Sequence, residues 1–337
     1  MKEACLYKPL KNNSVSCNLC MHTCMIKDGS RGICNVRQNN GGILETLVYG
    51  KLIAEHIDPI EKKPLFHFLP GSLSYSIASV GCNFKCLFCQ NADIAQMPSD
   101  HEGLIIGEPR SPEQIVNKAI KGNCKSISYT YTEPVVNFEF VYDTAKLAHA
   151  KGLKNVLVTN GYMTPEALDM IRPYLDAANV DLKAFNADFY TKICRAKLEH
   201  VKDTLIRMKS AGIFLEVTTL IIPELNDSVD EIKALALFLV EAIGTETPWH
   251  ISRFYPTYKL THSPPTPVKK IFDARQIGIK SGLKYVYAGN VHGNGGENTC
   301  CYSCGKILIE RSGFYVTSNC LVNRTCPDCG VDIDVIL

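Results

Sequence analysis

Three cysteines on one short loop constrain this chain more than any other feature. Cys82, Cys86 and Cys89 follow Gly81 with C-x3-C-x2-C spacing, and Phe88 directly precedes the third cysteine. A cubane [4Fe–4S] cluster has four irons, and a protein normally binds each iron through a thiolate. Three thiolates therefore leave one iron with an open position, where a substrate or cofactor can bind. There are two alternatives, three buried thiols and a zinc loop. Zinc sites more often use C-x2-C pairs.

An open iron suits S-adenosylmethionine, whose amino and carboxylate groups can both bind it. An electron passed from the cluster into the sulfonium breaks a carbon–sulfur bond and gives a 5′-deoxyadenosyl radical, which abstracts unactivated hydrogens. The three cysteines, with their spacing and their aromatic neighbour, resemble the signature of the radical SAM superfamily.

Composition and charge exclude several other classes of protein. The 337 residues are 46% hydrophobic and 21% charged, as in a soluble globular protein. The net charge is +2, so no strong field recruits nucleic acid or membrane lipids. No apolar run approaches the roughly 18 residues of a membrane span, and the first residues lack the apolar core of a signal peptide. We therefore expect a cytoplasmic protein with no nucleic-acid or membrane partner.

Sixteen cysteines in such a chain favour metal binding over disulfides. Besides the three on the loop, most fall into one group near the start of the chain and another near its end. The isolated Cys5, Cys124 and Cys194 are interpreted as buried small hydrophobic residues.

The C-terminal group contains two C-x2-C-G motifs, formed by Cys301 with Cys304 and by Cys326 with Cys329. Paired motifs of this kind are typical of a zinc ribbon or a rubredoxin-like site. A tail of about 40 residues has too little core to fold without such a metal. We predict a structural zinc, with a single iron as the alternative. Cys300 is an alternative ligand to Cys301, and Cys320 is expected to be unliganded.

The N-terminal group consists of Cys17, Cys20, Cys24 and Cys34, with His22 in the same loop. Four ligands on one short segment suggest a fully ligated centre. Zinc, an auxiliary [4Fe–4S] cluster and no metal at all are the three possibilities.

Strands and helices alternate between the two outer cysteine groups. The predicted strands are Leu73–Val80, Ser126–Tyr131, Asn155–Thr159, Ala178–Leu182, Phe214–Leu220, Trp249–Ser252 and Lys284–Tyr287. Helices are predicted between them, with capping signals such as Ser111-Pro112. This order is typical of a parallel sheet built from βα units, either open or closed into a barrel. We expect three parts: a Cys-rich segment at 1–70, the sheet at 71–295 and the tail at 296–337.

Polar residues follow nearly every predicted strand. They are Thr130 to Glu133, Thr159 to Gly161, Asp181 with Lys183, Glu216 with Thr218, His250 with Ser252, and Gly289 with Asn290. A helix cap or a solvent contact explains any one of them, but not all of them together. Residues two apart on a strand lie on the same face, so the two members of each pair point the same way. We expect these residues from many strands to form one polar opening, or mouth. That arrangement favours a barrel with its site at the carboxyl ends of the strands.

Further stretches resemble one branch of the radical SAM superfamily. They are Asp58 to Phe68, Tyr131 to Pro134, Thr159 to Tyr162, Asn179 to Lys183, Asn226-Asp227 and Pro248 to Ile251. The resemblance is to enzymes related to pyruvate formate-lyase activating enzyme, and more closely to the AmmeMemoRadiSam-system radical SAM enzymes. It implies an incomplete, open-sided (β/α)6 TIM-like barrel that admits large substrates. It also implies that the three loop cysteines ligate the [4Fe–4S] cluster and that Phe88 lies near the adenine.

The resemblance implies contacts to the methionine part of the cofactor from one further segment. Tyr131, Thr132 and Glu133 take the place of the family's Gly-Gly-Glu, whose backbone and carboxylate hold the methionine amino group. Both glycines are replaced here, which is a departure from the family pattern.

Four more residues match family contacts to S-adenosylmethionine. Asn160 corresponds to a ribose or methionine contact, and His250 to a histidine near the adenosine. Asp181 and Lys183 match residues at the ribose and carboxylate regions. The residue types agree, because a carboxylate group needs a cation and a ribose diol needs an acceptor.

The sequence therefore predicts a radical SAM oxidoreductase that cleaves S-adenosylmethionine reductively and abstracts hydrogen from a substrate. The family implies an electron donor of flavodoxin or ferredoxin type. One implied substrate is a glycine of a glycyl radical enzyme, although extra clusters of activases follow the cysteine loop and Asn91–Asn123 has no cysteine. Memo-like and AMMECR-like proteins are other implied partners. A non-catalytic iron–sulfur or zinc adaptor is disfavoured, because it needs no site for a zwitterion.

Overall fold

The computed structural model describes residues 2–291, 293 and 295–337, and its N-terminal part consists of short strands. They are β1 (Lys2–Glu3), β2 (Tyr7–Pro9), β3 (Val15–Cys17), β4 (Met25–Ile26), β5 (Arg37–Asn40), β6 (Ile43–Thr46) and β7 (Lys51–Leu52). Two small antiparallel sheets result, in the orders β1-β6-β5 and β2-β3-β4. A buried bidentate ion pair between Arg37 and Glu139, at 2.9 and 3.1 Å, ties this segment to the rest of the chain.

One eight-stranded sheet forms the centre of the molecule. The strands of this region are β8 (Ala54–Pro59), β9 (Leu73–Ala78), β10 (Glu108–Pro109), β11 (Ser126–Tyr129), β12 (Lys154–Thr159), β13 (Ala177–Asp181), β14 (Phe214–Ile221), β15 (Trp249–Arg253) and β16 (Val286–Gly289). All except β10, which pairs with β7, join the sheet in the order β8-β9-β11-β12-β13-β14-β15-β16. From β9 to β16 the strands are parallel, so all the strands predicted from the sequence are present.

The two edges of this sheet differ from the sequence-based picture. β16 pairs with β15 and so extends the parallel sheet beyond six strands. At the other edge β8 pairs antiparallel with β9, although its residues had been grouped with the Cys-rich segment. Since β8 and β16 end the strand order, the described sheet is a partial barrel with an open side.

Helices cover the sheet between successive strands. They are α1 (Ala92–Ala95), α2 (Met97–Asp100), α3 (Pro112–Lys121), α4 (Phe138–Ala150), α5 (Pro165–Ile171), α6 (Ala187–Phe189), α7 (Leu198–Ser210), α8 (Val229–Phe238) and α9 (Val268–Lys280). The predicted capping box of α3 is formed, with Ser111 and Gln114 each bonded to the other's backbone N–H. In the described part of the chain, no helix combines the length and the apolar character that crossing a membrane requires.

The tail is a small three-stranded antiparallel sheet that packs on the large one. Its strands are β17 (Thr299–Cys300), β18 (Ile307–Ser312) and β19 (Tyr315–Asn319). Phe66 and Tyr287 of the sheet region share one hydrophobic cluster with tail residues such as Leu308. The buried Arg311 donates to Phe66 O at 2.7 Å and lies 3.5 Å from the buried Glu61 carboxylate. Much of the core that the tail lacks on its own is therefore supplied by the barrel.

Candidate functional site

A cavity of about 540 Å³ lies at the carboxyl ends of the parallel strands. The predicted cluster ligands of the loop and the predicted cofactor contacts contribute to its wall: Cys82, Cys86, Cys89, Phe88, Thr132, Glu133, Asn160, Asp181, Lys183 and His250. Strands β9, β11, β12 and β13 deliver their part of this set at or just after their carboxyl ends, as the parallel order requires, whereas His250 is the second residue of β15. The structure thus gathers in one place groups that lie far apart in the sequence.

The cysteine loop begins directly after β9 and is held by two neighbouring segments. Gly81 has φ +105°, and a Cβ there would lie 2.6 Å from a Val36 side-chain carbon. Only glycine allows this approach to the N-terminal segment without displacement. On the other side, the Lys85 N–H donates to Cys194 O at 2.9 Å. Contacts with the protein on both sides therefore fix the position of the cysteine loop.

The three loop thiols share an environment that disfavours their ionisation in the absence of a cation. Burial raises the pKa of Cys82 well above its ordinary value. The side-chain hydrogen bond to Cys194, together with burial, does the same for Cys86, and burial raises the pKa of Cys89 to about 11. Thiolates bind metal only when deprotonated, so a cationic centre is the group that reverses these shifts. The donor set fits an iron–sulfur cluster with one open iron.

Glu133 presents a buried carboxylate to the same cavity. Its Oε1 accepts hydrogen bonds from Thr159 Oγ1 at 2.7 Å and Val135 N at 3.2 Å, and its Oε2 accepts from Asn160 N at 2.8 Å. All three donors are neutral, and burial raises the pKa of Glu133 to about 7. A carboxylate so placed gains most from a ligand that brings a positive charge.

Asp181 and Lys183 project from the end of β13 onto one face, as their spacing predicts. Their side chains form an ion pair at 2.9 Å. Asp181 keeps 35% of its side-chain surface exposed and Lys183 15%, so both can still meet a ligand. Lys183 Nζ also lies 5.8 Å from the centre of the Phe88 ring. An acceptor, a cation and an aromatic face thus adjoin the cysteine loop.

His250 lines the opposite part of the cavity and is held by Glu216. The His250 Nε2 lies 2.5 Å from Glu216 Oε2, and both side chains are buried. Glu216 also accepts hydrogen bonds from the Phe66 and His67 backbone N–H groups at 2.8 and 2.7 Å. Burial would raise the pKa of Glu216, but the hydrogen bond from His250 holds it below its ordinary value. Sequence spacing suggested that Glu216 faces the mouth; instead it anchors the segment before β9.

Tyr131, Asp58 and Lys63 form a hydrogen-bonded group near the cavity that the sequence did not predict. The Tyr131 hydroxyl hydrogen-bonds to Asp58, which also binds Lys63 Nζ at 2.6 Å. Burial lowers the pKa of Lys63 to about 8, against the opposing effect of Asp58. Tyr131 has φ +63°, a region that glycine enters freely and that costs other residues of order 1–3 kcal/mol. The resemblance described above carried a signal for Tyr131, since it placed this residue where the family pattern has glycine.

The C-terminal motifs form a tight group of four sulfurs. Among the described residues, Cys301, Cys304, Cys326 and Cys329 bring all their Sγ atoms within 4.8 Å of one another. The Cys301–Cys329 and Cys304–Cys326 Sγ distances are both 3.6 Å. A tetrahedral ion with bonds of ~2.3 Å separates its sulfurs by roughly 3.8 Å. This group can therefore bind one metal ion, with Cys301 rather than Cys300 as its member.

The fold and this cavity agree with what is found among known proteins. Residues 76–239 match the model of the Radical SAM superfamily, so the region that carries the cysteine loop belongs to that superfamily. It is 48% identical over 342 residues, 100% of both chains, to an uncharacterised protein of Methanocaldococcus jannaschii. More distantly, 46% of the chain is 23% identical to 65% of the pyruvate formate-lyase-activating enzyme of Clostridium pasteurianum.

Among solved structures, a radical SAM methyltransferase from Sphaerobacter thermophilus resembles this chain. The match covers 71% of each chain with a TM-score of 0.51 and 16% sequence identity. At that identity the likeness concerns the fold, which is the α/β fold of the superfamily with its partial barrel.

The Glu216 contacts generate a prediction about stability. Glu216→Ala leaves two backbone N–H groups and an imidazole buried without their acceptor, so we expect a loss of about 3–5 kcal/mol in the free energy of unfolding. Glu216→Gln should cost less, because its amide oxygen still accepts. Urea unfolding measures both. Asp273→Ala, which removes only an exposed pair with Lys269, is the control and should change stability by less than about 1 kcal/mol. Equal losses for Glu216→Ala and the control would contradict the assignment.

Proposed function

We propose that this protein uses a [4Fe–4S] cluster on Cys82, Cys86 and Cys89 to cleave S-adenosylmethionine reductively, and that the resulting 5′-deoxyadenosyl radical abstracts a hydrogen atom from a partner protein. One observation carries the proposal. The cysteine loop with one ligand too few for a cubane shares its cavity with a carboxylate, an acid–lysine pair and a buried histidine. A zinc or iron adaptor has no use for that second set of groups.

Each end of the cofactor has a matching group in the cavity. The buried Glu133 carboxylate suits the methionine ammonium, because its present donors are neutral. Lys183 suits the methionine carboxylate and Asp181 the ribose diol, so binding would replace their mutual ion pair with ligand contacts. Phe88 and His250 would border the adenine, and Asn160 the methionine or ribose, with Thr132 beside Glu133.

A partner protein is the substrate class that best fits the open side of the sheet. The described sheet ends at β8 and β16 without closing, so a chain segment can approach the cavity laterally. The activating-enzyme relatives favour a glycine Cα–H as the site of abstraction, and an external flavodoxin or ferredoxin type donor as the source of the electron. Memo-like and AMMECR-like proteins are the alternative partners to test. In this proposal the cysteine loop lies in a barrel formed by residues 71–295, between the Cys-rich segment at 1–70 and the tail at 296–337.

The four tail cysteines would hold a zinc ion in a zinc-ribbon-like fold. Their sulfur spacing suits a single ion, and paired C-x2-C-G motifs are typical of structural zinc sites. Phe314, at the turn between β18 and β19, lines the cavity. The zinc would therefore stabilise a part of the substrate entrance.

The cysteine loop gives the first test of this function. Cys86→Ala should abolish formation of 5′-deoxyadenosine under anaerobic reduction with dithionite, because one iron loses its ligand. Cys124→Ala removes a buried thiol outside the cavity and should retain activity. Chromatography of the product and circular dichroism of each variant measure chemistry and folding separately. An unchanged yield from folded Cys86→Ala would refute the proposed cluster.

Glu133 gives a test that depends on pH. Its pKa of about 7 means that the carboxylate is mostly ionised at pH 8 and mostly protonated at pH 6. If it binds the ligand's ammonium, affinity for S-adenosylmethionine should fall about tenfold between these values. Equilibrium binding to wild type and Glu133→Gln at both pH values provides the comparison, since the ligand's own titration is common to both. Glu133→Gln should bind weakly with a flatter profile; matching profiles would contradict the assignment.

The tail gives a third test, based on metal content. Cys304→Ser should lose most of one bound zinc per chain and should make residues after 298 sensitive to protease, because the site loses a ligand. Cys320→Ser is the matched control, since Cys320 lies in the tail but outside the four-sulfur group. Elemental analysis and limited proteolysis supply the readouts. Iron in place of zinc, or a protected tail in Cys304→Ser, would contradict a structural zinc.

A further inference from the structure

The four N-terminal cysteines surround a second cavity, separate from the large one. Cys17, Cys20, Cys24 and Cys34 line it together with His22, Arg37, Asn83 and several apolar side chains. The strands β3 and β4 and the turns around them bring the thiols together from one short stretch of sequence. Cys17 and Cys34 are buried, and Cys20 and Cys24 are half-buried. Four cysteines thus line one small cavity.

The spacing of these sulfurs differs from that of the tail. Among the residues that the structure describes, only the tail group brings three or more such ligand atoms within 4.8 Å of one another. The N-terminal sulfurs are more widely spread, and so are those of the loop at Cys82, Cys86 and Cys89. A single tetrahedral ion requires close sulfurs, whereas a cubane places an iron behind each thiolate and separates them. The N-terminal group resembles the cluster loop in this respect and differs from the zinc-like tail.

Two buried donors in the wall of this cavity have no protein acceptor. Asn83 is fully buried and its Nδ2 has no hydrogen-bond partner among the described residues; Arg37, 1% exposed, has an equally unpartnered Nε. Buried donors are rarely left unpaired. A [4Fe–4S] cluster with four thiolates is an anion whose sulfurs accept N–H hydrogen bonds. Such a cluster would supply the missing acceptors and pair with the Arg37 guanidinium.

Asn83 also connects this cavity to the large one. It follows Cys82 directly, and its Oδ1 accepts from Asn160 Nδ2 at 2.8 Å. Its carbonyl oxygen lies 2.9 Å from His22 Nε2. One residue therefore contacts a wall residue of each cavity.

We propose that Cys17, Cys20, Cys24 and Cys34 bind a second [4Fe–4S] cluster, which relays single electrons to the cluster on the Cys82 loop. An external one-electron donor of flavodoxin or ferredoxin type reduces the N-terminal cluster by one electron. That electron then passes to the cluster on the Cys82 loop, which is reduced by one electron while the N-terminal cluster returns to its oxidised state. The relay rests on the proposed function; the binding of the N-terminal cluster does not.

Iron content tests the cluster independently of the proposed function. The variant Cys82→Ala/Cys86→Ala/Cys89→Ala, reconstituted anaerobically, should retain about four irons and four sulfides per chain. Adding Cys20→Ser to it should remove them, whereas adding Cys5→Ser should not, because Cys5 is a nearby thiol outside the cavity. Thermal unfolding verifies that each variant is folded, and Cys24→Ser replaces Cys20→Ser if the latter is not. Zinc in place of iron, or no metal in the first variant, would overturn the proposal.

Two reductants test the relay. In Cys20→Ser with an intact Cys82 loop, 5′-deoxyadenosine formation driven by reduced flavodoxin should fall at least about tenfold relative to Cys5→Ser, while formation driven by dithionite should change little. Equal flavodoxin-driven rates would overturn the relay. A third outcome separates the two proposals. If neither Cys20→Ser nor Cys5→Ser forms 5′-deoxyadenosine with either reductant, but Cys82→Ala/Cys86→Ala/Cys89→Ala still binds four irons, the proposed function is wrong and the N-terminal cluster is retained.

Discussion

The buried carboxylate of Glu133 is the interaction on which the arrangement of this cavity depends. An isolated carboxylate is costly to bury, and three neutral donors offset only part of that cost. Two of those donors, the Thr159 hydroxyl and the Asn160 backbone N–H, come from the end of β12. Satisfying Glu133 therefore fixes the register of the loop after β11 against the loop after β12. The same carboxylate, with its pKa near 7, is left ready for a positively charged ligand.

Asn160 extends this network from the carboxylate to the cysteine loop. Its backbone binds Glu133, its Nδ2 binds Asn83, and its Oδ1 accepts from the Tyr162 N–H at 3.1 Å. Gly161 between them has φ +71°, and a Cβ there would lie 2.9 Å from Val180. A larger residue would push the loop off β13 and move both ends of the network. The position of the cysteines relative to the carboxylate thus depends on a backbone that only glycine accommodates.

Local patterns predicted the parts of the fold that local forces determine. The strands from β9 to β16, the capping box at Ser111 and the shared face of Asp181 and Lys183 follow from periodicity and spacing. The convergence of the polar residues on one mouth followed from parallel order alone. By contrast, β8 joins the sheet through antiparallel pairing that its own residues do not reveal.

Contacts between distant segments could not be predicted from the sequence. Cys194 looks like an isolated core residue in the sequence, yet a π-helical turn places its carbonyl oxygen where it accepts from the Lys85 N–H of the cysteine loop. Likewise Ser228 and Glu231 have the spacing of a capping box before α8, but the box is only half formed, since the Glu231 carboxylate accepts from the Phe185 N–H instead. Such partners lie dozens of residues away or compete with a local one. Only the packed chain decides between them.

A series of buried contacts connects the tail to the wall of the cavity that carries His250. Arg311 of β18 donates to Phe66 O at 2.7 Å and its guanidinium lies 4.3 Å from the centre of the Phe66 ring. The same Phe66 donates its backbone N–H to Glu216, which in turn holds His250. Because every member of this chain of contacts is buried, a shift of β18 is transmitted to the imidazole rather than absorbed by solvent. The four tail cysteines lie before β18 and after β19, so they belong to the part of the chain whose packing positions the far wall of the cavity.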